Sequence, residues 1–136
     1  MSEIREIELP SRIESVEEAA TMADEFAKAQ GFGDEILFAV DLAIRESVAN
    51  AVKHGNKFDE TKNVQLRFAD VPEGFEITVR DFGTGFTVED IPDPTNPENL
   101  LKTNGRGILF MRSFMDEVEW SNPEDGGLVV KMLKKR

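Results

Sequence analysis

Two short apolar runs on either side of a turn constrain this chain more than any other feature. Val64, Leu66 and Phe68 alternate with Gln65 and Arg67; beyond Pro72-Glu73-Gly74, Phe75, Ile77 and Val79 alternate again with polar residues. Period-two alternation across a proline–glycine turn predicts a β-hairpin with one buried face. A second hairpin is predicted where Val118 and Trp120 meet the Leu128 to Leu133 run across Asn122 to Gly127. Ile4 to Leu9 alternates as a half-buried strand would.

Helical spacing fills the space between. Ser15 with Glu18 reads as a capping box, followed by Val16, Ala19, Ala20, Ala23, Phe26 and Ala27 on one stripe. Gly31 and Gly33 end that helix, and Asp34 can begin another that runs to about His54, before Gly55. A polar loop spans Asn56 to Lys62. The segment from about Thr87 to Asn104 holds Pro92, Pro94 and Pro97 with little periodicity, which marks a functional or a disordered loop. A short helix is expected from about Gly107 to Phe114. The order β, α, α, β, β, loop, α, β, β predicts an α+β two-layer sandwich. Its sheet should be mixed but mostly antiparallel, with about three helices gathered on one face.

The length of 136 residues is expected to make one domain, residues 1–136, with no internal repeat or dividing linker. There are 27 Asp and Glu against 16 Lys and Arg, a formal charge of −11, so direct nucleic-acid binding is disfavoured. The acidity either steers a basic protein partner or serves solubility. With no cysteine and the single His54, thiol catalysis, thiolate metal sites and multi-histidine sites are excluded. No run approaches a membrane span and the N-terminus has no apolar signal core, so a cytoplasmic setting with no membrane contact is the expectation.

Three segments draw attention as a possible site. On the second helix, Leu37, Val40, Ile44, Val48, Ala51 and Val52 share the arc expected to face the core. Ala39, Ala43, Glu46, Asn50 and Lys53 share the opposite arc, which is either solvated or approached by another group. Glu46 and Asn50 lie at i and i+4 and so point the same way. Magnesium takes oxygen ligands and keeps several waters, so one amide oxygen from Asn50 plus phosphate oxygens would suffice. Glu46, one turn away, is placed to accept a proton from an attacking hydroxyl. Asp81 follows Phe75, Ile77 and Val79 on the odd-numbered face; if buried, its carboxylate needs donors, and an adenine amino group is one. A turn-capping aspartate before Gly83 is the alternative. Gly83 and Gly85 allow positive φ and close backbone approach. Gly105-Arg106-Gly107 opens an apolar helix, where backbone N–H groups bind phosphate, although an ordinary glycine turn into a core helix looks the same. Phe110, Met111, Phe114 and Met115 read as core, His54 as a helix-end residue, and Trp120 as structural. Neither a Walker P-loop nor a dinucleotide fingerprint is present.

In this order the segments resemble the GHKL ATPase and kinase superfamily, which groups gyrase, a heat-shock chaperone and histidine kinases. Glu46-x3-Asn50-x2-Lys53-His54-Gly55 is similar to its N-box, Asp81-x-Gly83-x-Gly85 to its first glycine box, and Gly105-Arg106-Gly107 to its second. Asn50-Ala-Val-Lys-His-Gly and the stretch from Gly105 to Val118 are closer still to the bacterial anti-sigma-factor serine kinases. The resemblance implies a GHKL-type fold binding ATP and Mg2+. Glu46 would be the general base, Asn50 the magnesium ligand and Asp81 the adenine reader. The nucleotide would be held with Lys53, Gly83, Gly85, Phe86, Thr103, Gly105, Arg106, Gly107 and Ile108, under a lid at about residues 87–104. It also implies a sigma factor and an anti-anti-sigma protein as partners, the latter phosphorylated on serine, and a homodimer. The alternatives are a switch-type kinase that holds no sigma factor and an ATP-dependent binding module. A sensor histidine-kinase fragment is disfavoured, because the sole histidine lies inside the N-box.

Overall fold

The computed structural model describes residues 3–83 and 111–136. Strand β1 (Ile4–Pro10) leads into helices α1 (Glu14–Ala29) and α2 (Asp34–Asn50), and α2 continues as a π-helical turn, Ala51–Gly55. Strands β2 (Asn63–Val71) and β3 (Gly74–Arg80) form the first hairpin, and β4 (Glu117–Ser121) with β5 (Val129–Lys135) the second. Residues 111–114 are helical; the rest of the expected helix at 107–114 and the 87–104 loop lie outside the described residues.

The sheet runs β1-β2-β3-β5-β4, and among the described residues every pairing is antiparallel, where a mixed sheet was expected. Parity sets its buried face. The register places Leu66 beside Ile7 and Val79, Val79 beside Val130, and Val130 beside Trp120, so one apolar row crosses all five strands. A second row joins Phe68, Ile77, Met132 and Val118. Of the apolar residues in β1, Ile7 and Leu9 share this face; Ile4 falls on the other parity and is half exposed. The uncovered face is polar, with Arg67 bonded to Glu76 at 3.1 Å and Gln65 donating to Glu8 at 2.7 Å.

The helices cover the apolar face. Ala39 and Ala43, expected on the arc opposite the core, are buried at 4% and 1% exposure. Helix α1 packs along α2 and contributes its own small residues, Ala19, Ala20, Ala23 and Ala27, to the same core. Its Glu17 pairs with Arg45, on the side of α2 turned away from Ala39 and Ala43. At Ala39 and Ala43 the second arc is therefore approached by other groups rather than solvated. Leu37, assigned to the core arc, is only partly buried against it. The expected capping box also does not form. The chain already turns at residues 12–13, where Ser15 N–H donates to Arg12 O at 3.0 Å, so Ser15 falls inside the helix. Its buried hydroxyl donates to Pro10 O at 2.6 Å, tying α1 to the end of β1.

Four phenylalanines lock the helices to the sheet. Phe75 is 5.5 Å edge-on from Phe26, 5.3 Å from Phe32 and 6.2 Å from Phe68, centroid to centroid. Such pairs add to the burial of large rings. Phe75→Ala is therefore expected to cost about 3–5 kcal/mol, a large part of a marginal total, read as a lower urea midpoint with an unchanged slope.

Candidate functional site

The site is built where α2 runs out against the end of β3. After Asn50 the hydrogen bonds lengthen by one residue: Asn56 N–H reaches Ala51 O at 2.7 Å, the i to i−5 pattern of a π turn. Lys57 and Phe58 then adopt left-handed φ values of 51° and 60°, and Phe58 N–H closes onto Val52 O at 2.8 Å. Glu46 and Asn50 remain in regular α-helix, so their i, i+4 relation holds, and both are half-buried. Lys53 lies inside the π turn and is exposed. A π turn winds less per residue than an α turn, so Lys53 lags the arc expected from a regular helix. The turn sets Gly55 directly against Asp81.

Asp81 is 3% exposed. Its main-chain N–H donates to Leu128 O at 3.0 Å, and its Oδ1 accepts from Gly83 N–H at 3.1 Å and Leu128 N–H at 3.2 Å. The bond to Gly83 is the turn-capping bond, and it occupies one oxygen only. Oδ2 takes part in neither bond and faces Gly55, where a Cβ would overlap it. Burial pushes the carboxyl above its ordinary value, and the two backbone N–H groups pull it back.

Close approach explains the glycines. A Cβ on Gly83 would strike Gly55 O, and one on Gly127 would strike Asp81 O. Gly83 is therefore required for contact rather than for positive φ; Gly127, at φ +85°, needs both.

Sequence reasoning missed two members of this cluster. Gly127 sits in the β4–β5 connection, where nothing but a turn signal was visible. Asn56 was placed in a polar loop, yet it is 3% exposed and its Oδ1 accepts from Phe82 N–H at 2.9 Å. Its position directly after Gly55 was the available clue. Of the expected site residues, Glu46, Asn50, Lys53, Asp81 and Gly83 are described; Gly85, Phe86, Thr103, Gly105, Arg106, Gly107 and Ile108 lie outside the described residues.

The raised carboxyl of Asp81 carries a sign. When the folded value exceeds the unfolded one, near 3.8, ionisation costs stability: the cost is absent below the unfolded value and complete above the folded one. Asp81→Asn keeps the Oδ1 acceptor and removes the charge. Thermal melts from pH 8 down to about 4 are expected to show the variant at least as stable as wild type at pH 7. Its advantage should shrink as the pH falls.

Comparison with known proteins gives the family. The model of the histidine kinase-like ATPase domain matches residues 9–134. Serine-protein kinase RsbW of Bacillus licheniformis is 30% identical over 135 residues, covering 95% of this chain and 83% of that protein. The anti-sigma F factor of Clostridium perfringens is 34% identical over 105 residues, 74% of each. A crystal structure of the RsbU and RsbW domains of a Mycobacterium tuberculosis protein superposes with a TM-score of 0.71 at 16% identity, over 98% of this chain and 32% of that one. That likeness supports the fold, and the sequence matches carry the assignment: the chain belongs to the histidine kinase-like ATPase domain family.

Proposed function

We propose that this protein is a Mg-ATP-dependent serine/threonine protein kinase. In this reading it acts as an anti-sigma factor that sequesters a sigma factor and phosphorylates a serine of an anti-anti-sigma protein. The observation that carries the reading is Asp81: a buried carboxylate with one oxygen held by two backbone donors and the other, Oδ2, engaged by neither and set against Gly55. An acceptor held this way suits the exocyclic amino group of adenine, which is a donor. Relatives named as a serine-protein kinase and as an anti-sigma factor support the rest of the reading.

The residues present fit magnesium. Among the described residues no three His, Asp or Glu side chains gather as a metal cage, so the ion would rest on Asn50 Oδ1 together with phosphate oxygens and water. Bound there, magnesium would supply charge neutralisation on the phosphates. Glu46, one turn earlier, takes the proton of the attacking serine hydroxyl. The serine oxygen bonds to the γ-phosphorus as the bond to the β,γ-bridging oxygen breaks, and ADP leaves with that electron pair. Phosphoryl transfer of this kind needs mainly positioning and charge stabilisation.

Glu46→Gln is expected to hold ATP as wild type does while transfer from labelled ATP to an acceptor serine falls by about 10²–10⁴. Unchanged transfer would remove Glu46 from its role, and wild-type protein that binds ATP but transfers nothing would favour the binding module. Asn50→Ala is expected to lose the magnesium dependence of ATP binding, measured by titration with and without the metal. Co-elution from native lysate with and without Mg-ATP tests the sigma-factor assignment, since an absent sigma factor favours the switch-type kinase.

A further inference from the structure

We infer that Asn56 is a positioning residue for base recognition, acting through the backbone that follows Asp81; the inference rests on the adenine reading of Asp81. The β2–β3 ladder stops at the pair Gln65 and Arg80. Continued by the same register, it would place Asn63 opposite Phe82. Instead the strands splay, and the Asn56 carboxamide sits in the gap. Its Nδ2 donates to Asn63 O at 3.2 Å, and its Oδ1 accepts from Phe82 N–H at 2.9 Å. A side-chain amide thus stands as a substitute rung between two backbones that no longer reach each other.

The wedge is fixed in orientation. Nδ2 also donates to Ser11 Oγ at 2.8 Å, and that hydroxyl in turn donates to Lys62 O. Ser11 and Asn56 are both buried. Both amide hydrogens and the carbonyl oxygen are engaged, and a flipped amide would set N–H against N–H. The main chain of Asn56 is anchored as well, since its N–H closes the π turn on Ala51 O. One residue therefore couples the end of α2 to the backbone bearing Asp81, and it does so before any ligand arrives. Without the wedge, Asn63 and Phe82 are free to close one further rung, which would swing Asp81 Oδ2 away from its place against Gly55. Base recognition would suffer, whereas Glu46 and Asn50, which precede the π turn, would keep their places.

The experiment compares Asn56→Ala, Ser11→Ala and Asp81→Asn. Each is tested for binding of ATP and GTP and, on an acceptor serine, for KM and kcat. Guanine carries a carbonyl where adenine carries its amino group, so a misplaced carboxylate lowers the ATP/GTP preference. Asn56→Ala is expected to weaken ATP about tenfold, the scale of one lost buried hydrogen bond. It should also erode the preference over GTP and raise KM for ATP with kcat unchanged. Ser11→Ala breaks the same buried network but leaves the Phe82 bond, so it should lower thermal stability and keep the preference. A wild-type ATP/GTP ratio in Asn56→Ala, or an equal loss in Ser11→Ala, overturns the inference while leaving Asp81 as the base reader. Undiminished ATP affinity in Asp81→Asn overturns the adenine reading and this inference with it. Should Asn56→Ala not fold, amide exchange on the wild-type protein decides. A Phe82 N–H protected without nucleotide supports the wedge, and an unprotected one overturns it.

Discussion

The fold depends on a contact between backbones. Gly55, Gly83 and Gly127 come from a helix end, a strand end and a hairpin, and each lies where a single added carbon would meet Asp81 or another glycine of the set. Burying a carboxylate is costly unless donors satisfy it. Here two N–H groups engage Oδ1 while close-packed main chain encloses the rest. The adjoining aromatic and alanine core holds the sheet and the helices rigidly enough for three chain segments to meet at one carboxylate.

Helix α2 serves two surroundings on two faces. Val40, Ile44 and Val48, with Val52 in the π turn beyond them, commit one face to the core along its length. Glu46 and Asn50 lie on another arc of the same turns and are half-buried. Under the proposed kinase reading, the general base and the metal ligand stand on a helix whose opposite face is anchored in the core, as positioned catalysis requires.

Much of this was legible in the sequence because parity is unforgiving. Alternation in residues 64–68 and 75–79 fixed which side chains face inward, and the same parity put Asp81 on the buried face. The i, i+4 spacing of Glu46 and Asn50 survived because their stretch of helix stays regular. What failed depended on neighbours that a local pattern does not contain. An apolar arc does not say what covers its flanks, so the sequence leaves open whether Ala39 and Ala43 are solvated or approached, and only their burial decides it. A Ser-x-x-Glu pattern does not say where the preceding turn begins, so Ser15 was read as a cap. Asn56 and Gly127 draw their roles from three segments meeting, and no window of sequence shows that.

The π turn at the end of α2 is a helix with one residue too many for its ladder. Deleting a single residue from Ala51–Gly55 would restore ordinary hydrogen bonding and raise helical regularity. It would also rotate everything downstream by about 100°, carrying Gly55 out from under the carboxylate. The extra residue acts as a phase shifter: it lets a helix whose early turns are locked in register with a neighbour arrive at its far end facing a different direction. A chain improved by the usual standard of helix stability would have the wrong phase, and the irregularity is what sets the end of the helix against Asp81.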